Sequence, residues 1–362
     1  ALRRTMSDAS SSVVPLGNPF TQQRDLLAGS VAVVFTQRGV VAVTGSDRLS
    51  YLDSLLSQDL ARLAPGQSAE ALLLDPQGHV ERAMRVIDDG STTWLLVDEG
   101  QAAPLAAFLD RMTFTKDAAA ADVSTEYVAV GFFEPGVAST AVSPAAPNGL
   151  ALLWRDPWNE VVAGGWQYAS DSEHPAGDWN YREAIVARDS LETALGGLEP
   201  VAPDAWDALR VAAWRPRFTS EVDATALPHE TDWLRSAVHL SKGCYRGQET
   251  VAKVHNLGHP PRRLTLLHLD GSTNILPPAG ADVALDGDVV GHITAAVRHF
   301  EEGPIALALL KRSATPDALL TVASEEGEIS ATQVVIVPTD AGRTVDVPRM
   351  ARLGAVSRNP ES

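Results

Sequence analysis

Lys242-Gly243-Cys244-Tyr245-Arg246-Gly247-Gln248-Glu249 holds the one cysteine of the chain, set between two cations and two glycines. A thiol must become a thiolate to act as a nucleophile, and neighbouring lysine or arginine charge lowers its pKa from about 8.5. The glycines permit a tight backbone path that brings main-chain N–H groups towards a ligand. A small buried hydrophobe in a turn gives the same local pattern, since free cysteine is often that. The residues alone leave both readings open.

Just upstream lie Leu209-Arg210, Glu221-Val222-Asp223 and Pro228-His229-Glu230. A carboxylate such as Glu230 can accept paired N–H donors from a 2-amino-4-oxopyrimidine ring, and an arginine can fork onto a carboxylate tail. A surface loop with ordinary salt links is the competing account. Between residues 210 and 263 nine basic residues face five acidic ones, a local excess of four positive charges. The whole chain is acidic, with Lys+Arg 29 against Asp+Glu 46 and a net charge of −17. Such a field repels phosphate backbones, so no direct nucleic-acid partner and no anionic-membrane partner is expected.

A single cysteine excludes an intramolecular disulfide, and no apolar run approaches the roughly 18 residues that span a bilayer. These features point to the cytoplasm. His255, His259 and Cys244 lie close in sequence, but no further ligand completes zinc spacing, so no metal site is expected. Neither phosphate-binding glycine pattern is present, and no G-x-S-x-G elbow supports a hydrolase.

Five segments are expected. Residues 1–24 read as a loose polar arm. Residues 25–66 together with 132–259 form a first lobe carrying the cysteine loop, with a hairpin of Val31–Phe35 and Val40–Val43 about Gln37-Arg38-Gly39 and a helix over residues 46–56. A helix is expected from about Tyr181 to Gly196-Gly197, and another from Pro203. Residues 67–131 alternate as strands, a helix and a strand, the pattern of a ferredoxin-like α+β lobe. Short strands broken by Gly and Pro from 260 to 338 predict a small β-barrel, and 339–362 a frayed tail.

Lys242–Glu249 reads K-G-C-Y-x-G-Q-E, and in this the chain resembles the YgfZ family of folate-binding proteins, relatives of the T-protein (aminomethyltransferase) of glycine cleavage. The resemblance runs from about residue 25 to 338, through Arg38-Gly39-Val40, Asp75-Pro76-Gln77-Gly78, Glu221–Glu230 and Gly291-His292-Ile293-Thr294. It implies an α+β, three-lobed ring around a central channel holding tetrahydrofolate or a one-carbon derivative. It also implies a protein supporting iron–sulfur enzymes, some of which methylthiolate tRNA. Carried over, Cys244 is the reactive thiol with Lys242 as its catalytic companion. Tyr245, Arg246, Gly247 and Gln248 shape the loop and the cofactor site, and Arg210 and Glu230 lie near the channel. The acid pair of the aminomethyltransferases falls on Arg82 and Ala83, with Glu81 adjacent, and their pterin-binding glutamate on Ala212. Those losses argue against glycine cleavage. Two alternatives stand beside the leading reading: a tetrahydrofolate-dependent one-carbon transferase on a small amine, and a scaffold for a cluster enzyme with a vestigial channel.

Overall fold

The computed structural model describes residues 17–170, 174–273 and 275–345. Among the described residues fifteen strands, all paired antiparallel within their sheets, make three sheets. β1 (Val33–Phe35), β7 (Tyr127–Phe133), β9 (Tyr181–Ala187) and β8 (Leu153–Arg155) form a four-stranded sheet in that order. β3 (Ser68–Leu74), β4 (Val80–Asp88), β5 (Thr92–Val97), β2 (Gly39–Thr44) and β6 (Ala119–Asp122) form a second. The third is a closed six-stranded barrel of β10 (Arg262–Leu269), β13 (Gly303–Lys311), β12 (Asp288–His299), β11 (Asp282–Leu285), β14 (Leu320–Ser324) and β15 (Gly327–Val335).

The five-stranded sheet is covered on both faces. Leu73, Met84, Val86 and Leu95 pack against Leu52 and Leu105 of the helices Arg48–Leu55 and Ala102–Met112. Leu72, Leu74, Ile87 and Leu96 pack on the other face with Trp154, Trp158, Trp206 and Trp233. A strand covered on both sides reads as an unbroken apolar run, as Ala71–Leu74 does. In the barrel, Leu267, Ile293, Ala306 and Val322 fill the inside, while Leu264, Leu266 and Leu307 face Val211 of the helix Pro203–Ala212 and Trp214 just after it. The alternation follows from the two-residue period of a strand.

Several expectations change. The segments 31–35 and 40–43 do not pair as a hairpin: β1 joins β7, and β2 joins β5 and β6. The Gln37-Arg38-Gly39 turn is where the chain passes between sheets, and Arg38 is buried there against Glu183, Phe35 and Trp206. β2 therefore belongs with 68–122, whereas β7, expected in the ferredoxin-like lobe, belongs to the four-stranded sheet. Residues 181–187 are strand β9, not helix, because Glu183 is a core residue paired with Arg38 and Arg85 and not part of a solvated helix face.

Residues 19–24, expected in the loose arm, belong to a helix Pro19–Leu27 capped by the Asn18 side chain. Its Gln23 amide donates to Arg298 O (2.8 Å) and accepts from Phe300 N (2.9 Å), docking it on the barrel. Of the expected tail, residues 339–345 are tied down by His259 to Ala341 O and Thr344 N to His255 O. The arm expected over 1–16 and the tail expected over 346–362 lie outside the described residues. Among the described residues no helix is long and apolar enough to cross a membrane.

Candidate functional site

The cysteine loop is fastened at both ends. At its start the Lys242 side chain is 2% exposed, and its Nζ lies within hydrogen-bond distance of four oxygens. These are Asp53 O (2.6 Å), Asp53 Oδ1 (2.8 Å), Gln58 O (2.8 Å) and Leu56 O (2.9 Å). Three of them are main-chain carbonyls at and just beyond the end of the helix Arg48–Leu55, so the ammonium works as a C-terminal cap. Burial lowers the pKa of Lys242, and Asp53 pulls it the other way. Lys242, expected as the catalytic companion of Cys244, is thus engaged as an anchor.

At the other end Gly247 has φ +84°, and a Cβ there would stand 2.6 Å from Asp75 O and 3.0 Å from Leu74 Cβ. Only glycine lets the loop cross the Asp75–Gly78 turn so closely. That turn is itself held by Asp75, which accepts from Gln77 N and His79 N at 2.8 Å. Gln248 Nε2 closes the loop on Lys242 O (3.2 Å), and the helix Gln248–Leu257 begins there. Tyr245 is buried beneath, with burial pushing its phenol well above the ordinary value. Arg246 pairs with Glu81 (2.8 Å) and lies over Phe108. Cys244 is free and exposed.

Arg210 and Glu230 are elsewhere and fully committed. Arg210 is buried against Asp207 (2.7 Å) and Glu221 (3.1 Å), and Glu221 also accepts from Thr294 of the barrel (2.8 Å). Glu230 is buried against Arg262 (2.8 Å) and Leu227 N (3.1 Å). The structure therefore brings Lys242, Tyr245, Arg246, Gly247 and Gln248 together around Cys244, and leaves Arg210 and Glu230 at the seam with the barrel.

The centre between the lobes is ionic and nearly full. Arg215 bridges Glu70 (2.7 Å) and Asp156 (3.1 Å), and Glu70 also accepts from Trp233 Nε1 (3.0 Å) and Ser236 Oγ (2.6 Å). Burial pushes Asp156 up despite Arg215, and the charge of Glu70 adds to that. Asp98 lies 3.6 Å from Arg85 and 3.5 Å from Arg217. Burial opposes its ionisation, but these arginines and Arg38 bring its pKa down to about 2. What remains open among Glu70, Ala83, Asp98, Arg215 and Arg217 is about 10 Å³, room for one water.

On one side of this network lies a cleft of about 900 Å³. Glu70, Asp156 and Ser236 line it, along with Arg62, Arg155 and Arg182. A folate carries adjacent N–H donors on its pterin and carboxylates on its tail, so carboxylates and arginines on one cleft are the complementary set. The volume falls in the range of small-molecule sites, while the centre beyond it has no room for a ring system. The donor set fits the group in the cleft and not in the centre.

Sequence reasoning missed Glu70, Asp156 and Arg215. The usable signals were a lone acid in the apolar strand Ser68–Leu74 and an acid between Trp154 and Trp158. Ala83 stands at the central void, whereas Glu81 lines a different pocket and is bound to Arg246. The general base that a one-carbon transferase needs is not supplied to the centre by Glu81. Among the described residues no group of three or more His, Cys, Asp or Glu could hold a metal ion.

No protein-family model matches the chain. The tRNA-modifying protein YgfZ of Escherichia coli O157:H7 (strain EC4115 / EHEC) is 25% identical over 295 residues, 78% of this chain and 86% of that protein. The protein of the same name from Shigella boydii serotype 4 (strain Sb227) matches equally, at 25% over 295 residues. Among solved structures, the glycine cleavage system aminomethyltransferase T from Bartonella henselae shares the fold at a TM-score of 0.67, over 92% of each chain and at 17% identity. The chain is thus similar in sequence to the YgfZ proteins and shares the α+β fold of aminomethyltransferase T.

Proposed function

We propose that the protein is a cytoplasmic, folate-binding YgfZ-like factor that supports iron–sulfur enzymes through Cys244. The observation that carries this is an exposed thiol on a loop whose two ends are fixed by Lys242 and Gly247. A loop anchored this firmly around a surface cysteine is organised for presenting the sulfur to a partner, because packing alone would bury it.

Folate belongs in the 900 Å³ cleft, where Glu70 and Ser236 would meet the pterin edge and Arg62, Arg155 and Arg182 the carboxylate tail. Tetrahydrofolate, when bound, supplies one-carbon chemistry. The protein's own residues bind and orient it, and Arg215 holds the Glu70 carboxylate in place. With a net charge of −17, the protein's link to tRNA modification runs through a client enzyme and not through contact with RNA.

The nearly filled centre favours a second reading, a scaffold for a cluster enzyme whose folate channel is vestigial. One experiment separates them and a second tests the thiol. Calorimetric titration with tetrahydrofolate and its 5-formyl derivative is expected to give saturable 1:1 binding, weakened in an Arg155→Ala/Arg182→Ala variant. Absence of binding leaves the scaffold. Complementation of a deletion strain is expected to fail with Cys244→Ala; full rescue of iron–sulfur enzyme activity would remove the thiol from the account.

A further inference from the structure

We propose that a second pocket, beside the cysteine loop, is an anion site for a small molecule carrying a phosphate or carboxylate group. The pocket measures about 390 Å³ and is lined by Arg82, Arg111, Arg246, Glu81, Phe108 and Leu73 among others. It lies across the five-stranded sheet from the cleft: Leu73 packs on the helix-covered face, whereas Leu72 packs with the tryptophans.

A break in strand register builds it. Leu73 pairs with Arg82 but Leu74 pairs with Val80, so Glu81 is an extra residue in β4. Cross-strand partners share a face, which sets Arg82 on the side of Leu73. In a regular strand Glu81 would point the opposite way. The bulge turns it into the same pocket, a use of bulges that recurs beside functional sites.

The charges in the pocket are unbalanced. Three arginines meet one glutamate, a local excess of two positive charges on a chain of net −17. Glu81 is paired with Arg246 (2.8 Å), and both are about one-third exposed, a setting in which an ion pair is worth about 0–1 kcal/mol. Arg246 is therefore free to turn to a competing anion. Among the described residues neither Arg82 nor Arg111 has a carboxylate partner, and Arg82 Nε is buried with no hydrogen-bond acceptor. Arg82 Nη1 is held by Glu81 O, which fixes the fork.

The other two guanidiniums both lie over Phe108. Arg246 lies 5.8 Å and Arg111 5.9 Å from its ring centroid. Planar guanidiniums with unused N–H groups match a phosphate or carboxylate in two-point contact. The apolar floor of Phe108 and Leu73 suits the non-ionic part of the same ligand. Because Arg246 is two residues from Cys244 on the anchored loop, a ligand here sits against the loop that carries the thiol.

The test is calorimetric titration of the full chain with inorganic phosphate and, separately, with succinate, at constant ionic strength balanced by chloride. Saturable 1:1 binding is expected, weakened about tenfold or more in Arg82→Gln/Arg111→Gln and unchanged in Arg312→Gln, a surface arginine outside the pocket. The tighter of the two probes names the anionic group of the natural ligand. No saturation by about 10 mM of either probe, or equal affinity in the double variant, overturns the proposal. Folate titration of the same variants is expected to be unchanged, which keeps this site separate from the cleft.

Discussion

Lys242 and Cys244 stand two residues apart and do opposite things. The lysine is enclosed and stabilises; the cysteine is exposed and contributes no packing. Lys242→Met would leave three main-chain carbonyls and the Asp53 carboxylate short of a donor, at a cost of about 3 kcal/mol. Cys244→Ser is expected to stay within about 0.5 kcal/mol of the parent. Urea unfolding of both variants checks the contrast, and a Lys242 variant as stable as the parent would dissolve the anchor. Gly247→Ala meets both a positive φ and a 2.6 Å approach to Asp75 O, so a loss of about 2 kcal/mol or more is expected in the same measurement. The octapeptide was legible because its residue types are unusual together. What it could not say was where each cation goes, since Lys242 turns to Asp53 and Arg246 to Glu81.

At the scale of elements, the barrel strands and the helices Arg48–Leu55, Ala102–Met112 and Pro203–Ala212 were legible from apolar spacing and breakers. β9 was not, and the reason is Glu183. A charged residue in a short segment suggests a solvated face, but this one is fully buried and shared by Arg38 and Arg85. Arg38 came with it, for a turn that buries an arginine looks like an ordinary hairpin turn until its partner is known. The adjacent pair Arg182–Glu134 offers a control in the same strand, being partly exposed at 3.0 Å. Glu183→Ala is expected to cost about 3–5 kcal/mol, because it strands two buried guanidiniums. Arg182→Ala is expected to cost about 1 kcal/mol or less. Equal losses for the two in chemical denaturation would mean that the buried network is not what holds β9 in register.

At the scale of the whole molecule, the seams between lobes carry buried groups that titrate, and these set the response to acid. The centre could not be foreseen for the same reason as β9: Glu70, Asp98, Asp156 and the pair Arg215 and Arg217 come from four separate segments and meet only in the fold. Two histidines lie in such seams. His229 is fully buried, with Nε2 on Val251 O (3.0 Å) of the helix that follows the cysteine loop. Burial brings its pKa down to about 3, the Val251 bond opposing and the nearby His255 adding to the fall. His174 sits between Trp158 and Trp214, and burial followed by the charge of Arg235 brings it down to about 3 as well. A histidine whose folded pKa lies below its unfolded value of about 6.5 binds its proton more readily when unfolded. Its stabilisation is complete above pH 6.5 and is lost as pH falls towards the folded value. Between pH 7 and 5 the loss from His229 is about 2 kcal/mol, with a smaller one from the partly exposed His174. Carboxylates of ordinary pKa remain largely ionised over that window, while Asp156 and Glu221, raised by burial, act in the opposite sense to the histidines. Unfolding free energies measured at pH 7 and pH 5 are expected to differ by about 2–4 kcal/mol in the parent. In His229→Gln, whatever its stability at pH 7, that difference is expected to shrink by about 2 kcal/mol. A variant that keeps the full difference would show that His229 takes up no proton on unfolding, and that the seam behind the cysteine loop is open to water.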